Sequence, residues 1–141
     1  MHADEGRLNE LSRTVIGSAF TVINTLGAGF LEKVYENALS HELRKAGCAV
    51  EQQHGMTVRY DGEVVGTYFV DLLVEEMLLV ELKTVPALSA AHRGQCVNYL
   101  KATRLPLCLP PDFGNPRRDI RRVANRLSCG PLHPRASACI L

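Results

Sequence analysis

Net charge is nearly absent from this chain of 141 residues: 16 lysines and arginines face 15 aspartates and glutamates, leaving a formal charge of +1. There is no bulk basic field to attract a polyanion, so any nucleic-acid binding must come from a local patch. Cysteine is present, but not in the patterns that its chemistry requires. The five cysteines (Cys48, Cys96, Cys108, Cys129 and Cys139) are odd in number, which excludes a fully paired monomeric disulfide framework. None forms a CxxC pair and no histidine lies at finger-like spacing, which argues against a structural zinc site. Cys96 and Cys108 read most simply as small core residues. The chain has no internal repeat and no low-complexity tract. The charged stretch Met1 to Arg13 is unlike a signal peptide, and the expectation is a reducing, cytoplasmic setting.

The longest charge-free run, Thr14 to Leu31, reaches the length at which a membrane helix has to be considered. It is interrupted by Thr14, Ser18, Thr21, Asn24, Thr25 and three glycines, so it reads as a buried helix followed by a turn, with no membrane span. Hydrophobic residues make up 46% and charged residues 22%, which is ordinary for a globular protein. A chain of this length buries roughly 70% of its unfolded surface in one core. The expectation is a single domain over residues 1–127 and a loose tail over 128–141, where Pro131 and Pro134 interrupt any period.

Leu8, Leu11, Val15, Ala19, Val22 and Leu26 recur at three- and four-residue steps and predict an apolar helical stripe. Ile16, Phe20 and Ile23 form a second stripe, which predicts a helix covered on two sides. Gly27-Ala28-Gly29 ends it. A second helix is expected from Leu31 to Ala46, stopped by Gly47. The period then changes to that of strands. Val50 to Tyr60 is extended, with an interruption near His54-Gly55, and Asp61-Gly62 is a two-residue hairpin signal. Val64 to Val74 returns, Glu75-Glu76 turns, and Met77 to Val85 makes a third strand. Leu88 to Ala102 reads as a helix and Leu105 to Leu109 as a fourth strand. Asn115-Pro116 is expected to open a last helix running to Leu127. The order ααβββαβα predicts an α+β fold in which helices flank a central mixed four-stranded sheet.

The informative stretch is Val70-Asp71-Leu72-Leu73-Val74, a turn, and then Val80-Glu81-Leu82-Lys83. Side chains alternate along a strand, so Glu81 and Lys83 share one face while Val80, Leu82 and Thr84 take the other. A tight turn at Glu75-Glu76 places Asp71 opposite residue 80 or 81. In the register that puts Asp71 on the Glu81 face, two carboxylates and an ammonium converge in a sheet otherwise built of Val and Leu. Carboxylates at that range repel one another, and burying them unpaired is costly. A divalent cation relieves both penalties, and hard oxygen ligands suit Mg²⁺ or Mn²⁺. An ordinary cross-strand ion pair on a solvated face is the alternative.

Asp71 followed by Glu81-Leu82-Lys83 resembles the core of the PD-(D/E)xK nuclease superfamily. Gly29-Phe30-Leu31-Glu32-Lys33-Val34-Tyr35 resembles the GxxExxY signature of a bacterial family placed in that superfamily. Gln95-Cys96-Val97-Asn98-Tyr99 is similar to the QxxxY motif of its exonuclease-like branches. The likeness spans roughly residues 11–122 and implies a restriction-endonuclease-like core and metal-dependent hydrolysis of DNA. It also implies roles: Asp71 and Glu81 as metal ligands with the Leu82 carbonyl a third, Lys83 positioning water, Glu32 approaching the metal, and Gln95 and Tyr99 lining the site. Tyr35 would orient Glu32 or pack beneath it. The resemblance implies a longer apolar fourth strand that ends in Asn-Phe-Gly, whereas here Leu105 to Leu109 is followed by Pro110-Pro111-Asp112-Phe113-Gly114.

Arg117, Arg118, Arg121, Arg122 and Arg126 crowd the expected last helix and are candidate phosphate contacts, with a solvated face as the alternative. A homodimer or a partner protein is compatible with the small size. The competing function is a non-catalytic nucleic-acid-binding or protein-interaction module that retains the nuclease fold.

Overall fold

The computed structural model describes residues 2–86, 88–114, 123–125 and 138–140. Its elements run α1 (His2–Leu26), α2 (Glu32–Lys45), β1 (Val50–Tyr60), β2 (Glu63–Val74), β3 (Leu78–Val80), α3 (Ala90–Thr103), β4 (Leu107–Leu109), β5 (Val123–Asn125) and β6 (Ala138–Ile140). The strands form a sheet in the order β1-β2-β3-β4-β5-β6, antiparallel except between β3 and β4. A parallel neighbour is out of reach of a tight turn, so the chain crosses over through α3 between those two strands. β1 to β4 make the mixed four-stranded sheet of an α+β fold, and β5 and β6 extend its edge.

Helices cover both faces. Leu11, Val15, Ala19 and Val22 of α1 and Tyr35, Leu39 and Leu43 of α2 share a core with Leu72, Val74, Leu78, Val80 and Leu82. On the opposite face Cys96, Tyr99 and Leu100 of α3 pack with Val70, Leu73, Leu79 and Cys108. Cys96 and Cys108 are buried free thiols whose sulfurs lie 2.8 Å apart. Among the described residues, no helix is long and apolar enough to cross a membrane.

Both hairpins use two consecutive left-handed residues, whose twist matches that of the flanking strands. Asp61 and Gly62 have φ 53° and 79°, and Glu75 and Glu76 have φ 52° and 58°. The second turn lacks the usual glycine. It is tied down by Glu75, whose backbone N–H donates to Ala49 O and whose carboxylate accepts from Ala49 N–H at 2.6 Å.

Three expectations are corrected. The second stripe of α1 is not covered throughout: Ile23 is buried, Ile16 is half-buried, and Phe20 is exposed. Helix does not continue to Leu127, because Val123–Asn125 is a strand paired with Leu107 and Cys108. The open edge of β4 offers ladder hydrogen bonds that outweigh weak local helix preference. The tail supplies a strand, Ala138–Ile140, paired with β5. The candidate phosphate contacts Arg117, Arg118, Arg121, Arg122 and Arg126 lie outside the described residues.

Candidate active site

The site forms where β2 and β3 part. Their ladder runs Val74↔Leu78, Leu73↔Leu79 and Leu72↔Val80, then stops. One step further, Asp71 and Glu81 face each other. The Asp71 N–H donates to Glu81 Oε1 at 3.2 Å, and Asp71 Oδ2 accepts from the Leu82 N–H at 2.9 Å. Alternation along β3 puts Leu78, Val80 and Leu82 in the α1/α2 core and turns Glu81 and Lys83 toward α3. Lys83 Nζ lies 3.9 Å from Glu81 Oε2.

The third helix closes a ring of contacts on that face. Lys83 Nζ donates to Gln95 Oε1, Gln95 Nε2 donates to the Tyr99 hydroxyl at 2.8 Å, and that hydroxyl donates to Glu81 Oε2 at 3.1 Å. Gln95 and Tyr99 are four residues apart, one helical turn, so both point at the sheet. His92 stands apart from this ring. Its ring Nδ1 accepts from the Ser89 N–H at 3.0 Å, and it completes the N-terminal capping box of α3.

The second helix brings Glu32 to the rim. Tyr35 sets where that helix starts: its hydroxyl donates to Gly27 O at 2.6 Å and accepts from the Phe30 N–H at 3.1 Å. These bonds hold the turn through Gly29, whose φ of 110° favours glycine. Glu32 follows as the first residue of α2, exposed but within the fields of Asp71 and Lys83. The Tyr35 ring stacks on Phe113, centroids 4.7 Å apart. Tyr35 therefore acts on the turn that precedes Glu32, more than on its carboxylate.

Two further residues join the site without having been singled out from the sequence. Glu36 is buried and accepts from Lys33 Nζ (3.0 Å), Gln52 Nε2 (2.7 Å) and Gln53 Nε2 (2.8 Å). Gln53 Nε2 also donates to Asp71 Oδ1 at 3.1 Å, so a single amide links Glu36 to Asp71. Gln53 has φ 54°, a conformation that costs a non-glycine residue about 1–3 kcal/mol. The alternation on β2 breaks at the same level, where Val70 and Leu72, two residues apart, sit in opposite cores. The interruption of β1 expected near His54-Gly55 thus falls at Gln53. Glu36 has a sequence signal, one helical turn after Glu32; Gln53 has none.

A brace from the segment after β4 holds the Glu81–Thr84 strand end. Glu81 N–H donates to Leu109 O, Lys83 N–H to Pro111 O, and Phe113 N–H to Lys83 O, all within 3.1 Å. Regular pairing ends at Val80 and Leu109, yet the parallel register carries on to Lys83 and Asp112. Asp112 Oδ1 accepts from the Val85 and Gly114 N–H groups, at 3.0 and 2.9 Å. An aspartate thus occupies the place of the expected asparagine as an acceptor. A Cβ on Gly114 would lie 2.6 Å from the Thr84 carbonyl carbon and 2.7 Å from the Val85 nitrogen. Both are backbone atoms, so Gly114→Ala is expected to destabilise by about 1–3 kcal/mol. Urea denaturation reads this directly, and an unchanged midpoint would contradict the brace.

Electrostatically the site carries excess negative charge. Burial, and then the charge of Asp71, push the Glu81 carboxyl up to about 7, against the hydrogen bonds from Asp71 N–H and Tyr99 and the pull of Lys83. Glu32 is raised for the same two reasons, desolvation and Asp71. The Tyr99 hydroxyl is also raised, by burial and by Glu81. Among the described residues, no three His, Cys, Asp or Glu side chains meet as a ready-made metal cage. The donor set instead fits an ion that is only partly held by protein: two hard carboxylates, with other positions left to water and substrate, as Mg²⁺ commonly has.

Residues 9–123 match the family model described as the PD-(D/E)XK nuclease superfamily, whose members generally use divalent metals. The α+β architecture is consistent with a restriction-endonuclease-like core. No curated protein and no solved structure matches the chain.

Proposed function

The chain belongs to the PD-(D/E)XK nuclease superfamily, and on that footing we propose that it hydrolyses phosphodiester bonds in DNA with Mg²⁺ or Mn²⁺. Asp71 and Glu81 would hold the ion, and the Leu82 carbonyl and Glu32 would be its further ligands. When bound, the ion lowers the pKa of coordinated water and offsets charge on the phosphate. Lys83 spends one N–H on Gln95 and leans another toward Glu81. An ammonium has three donors, and the remaining one orients the attacking water or a phosphate oxygen. Water oxygen bonds to phosphorus and releases a proton to solvent, the bond to the leaving sugar oxygen breaks, and that oxygen takes up a proton from solvent. Gln95 and Tyr99 keep Lys83 and Glu81 in place, and Gln53 does the same for Asp71. The spacing of Gly29, Glu32 and Tyr35 supports a finer placement among the bacterial GxxExxY proteins, with a cytoplasmic setting.

The observation that carries this reading is the convergence of Asp71, Glu81 and Lys83 at the opening of the β2–β3 ladder, where burial and mutual repulsion leave Glu81 reluctant to ionise. Purified protein with Mg²⁺ or Mn²⁺ is expected to shorten labelled DNA and to stop when EDTA is added. A protein inert on single- and double-stranded DNA and on RNA with either ion overturns the reading, leaving a binding or interaction module on a nuclease fold.

A further inference from the structure

Beyond Leu72, β2 loses β3 as a neighbour, and residues 54–70 continue as a two-stranded arm. One wall of a groove of about 1120 Å³ is this arm; the other is α3. Among the described residues three cations line the groove, Arg59 from the arm, Lys101 from α3 and Arg104 from its C-terminal end, and no aspartate or glutamate does. All three are exposed. In a chain whose formal charge is only +1 this is a local concentration of positive charge. Gln95 and Tyr99 also line the groove, so it opens onto the contacts that fix Lys83 and Glu81.

Two features suit an unpaired polynucleotide strand. Tyr68 is exposed on the arm, with its ring centroid 6.4 Å from that of Tyr99 and tilted by 53°. Its free surface is a stacking platform for a base, which a duplex keeps inside its own stack. Gly94 faces the groove from the middle of α3, and a Cβ there would meet nothing within 4 Å. A mid-helix glycine costs about 1 kcal/mol relative to alanine, and here packing does not demand it. What it provides is clearance along the groove floor.

We propose that the groove between α3 and the β1–β2 arm binds a single nucleic-acid strand, with backbone phosphates on Arg59, Lys101 and Arg104 and a base on Tyr68, and leads it to Lys83. This rests on the nuclease reading for its direction but not for its binding. Fluorescence anisotropy with labelled oligo-dT, oligo-U and a duplex of equal length, in EDTA, measures binding without hydrolysis. The single strands are expected to bind more tightly than the duplex. Arg59→Glu, Lys101→Glu and Arg104→Glu should each weaken binding on the order of 10-fold and flatten its salt dependence. Arg13→Glu on α1, away from the groove, should change nothing. Lys101→Gln and Arg104→Gln, which keep the fold's polarity, should weaken binding by smaller factors, and Tyr68→Ala should weaken it at every salt concentration.

Tighter binding of duplex, or oligonucleotide affinity indifferent to all of these groove substitutions in folded protein, overturns the proposal. Binding lost with the groove cations in a protein that never cleaves would uphold the groove and defeat the nuclease reading. Cleavage undisturbed by the groove substitutions would do the reverse.

Discussion

Lys83→Ala is expected to lower cleavage by at least about 10²–10³-fold while leaving the fold intact. The loss of one preorganised donor aimed at developing charge has that magnitude. The fold should persist, because the backbone bonds of Lys83 to Pro111 and Phe113 remain and the Leu82 side chain beside it keeps the core contact. Gln95→Ala tests the same point from one contact away. Without its Oε1 acceptor, Lys83 loses its fixed direction, and a loss of about 10–100-fold is expected, as for other residues that orient a functional group. Single-turnover cleavage of a labelled oligonucleotide at saturating Mn²⁺ measures both, with circular dichroism melts as the check on folding. Lys83→Ala protein that cuts at the wild-type rate would remove the lysine from the chemistry.

Glu81→Gln should abolish cleavage and yet stabilise the metal-free protein. Folding raises the Glu81 carboxyl from an ordinary 4.5 to about 7. The folded state therefore holds this proton more tightly than the unfolded state. The sign follows from linkage: the contribution is fully present below about 4.5, declines as pH rises toward 7, and is gone above it. Over that window metal-free wild-type protein is expected to lose at most about 3 kcal/mol from this group. Glutamine keeps the acceptor for the Asp71 N–H and carries no charge, so the variant should melt several degrees higher than wild type at pH 8 and nearly level with it at pH 4.5. Saturating Mn²⁺ should reverse the order at pH 8, because the ion stabilises only the protein that binds it. Thermal melts at the two pH values, with and without Mn²⁺, give the four numbers required. A variant less stable than wild type in EDTA at pH 8 would show that Glu81 is buried without strain.

Much of this site was legible in the sequence because alternation is a strong rule. Glu81 and Lys83, two residues apart among Val and Leu, had to share a face, and a tight turn at Glu75-Glu76 brought Asp71 to residue 80 or 81; the third turn residue, Met77, is what sets it opposite Glu81. Gln95 and Tyr99, one helical turn apart, had to present together. What escaped notice depends on local departures from such rules. Gln53 occupies a left-handed backbone position inside a strand, and no residue pattern announces that for a glutamine. The shift of face between Val70 and Leu72 is a consequence of the same irregularity. Asp112-Phe113-Gly114 read only as a departure from the Asn-Phe-Gly end of a longer strand, whereas its tertiary hydrogen bonds and the absence of room for a Cβ at Gly114 make it the brace of the Glu81–Thr84 segment. Val123–Asn125 was misread because its strand pairing is owed to the open edge of β4, which lies far away in sequence.

If Asp71 and Glu81 together form a seat for one hard divalent ion, isothermal titration of Mn²⁺ into metal-free protein at pH 8 will show it. Saturable binding of a single ion is expected in wild type, with loss of the heat in Asp71→Asn and Glu81→Gln and its retention in Lys83→Ala. Wild-type protein that takes up no Mn²⁺, or binding that survives both carboxylate substitutions unchanged, would contradict it.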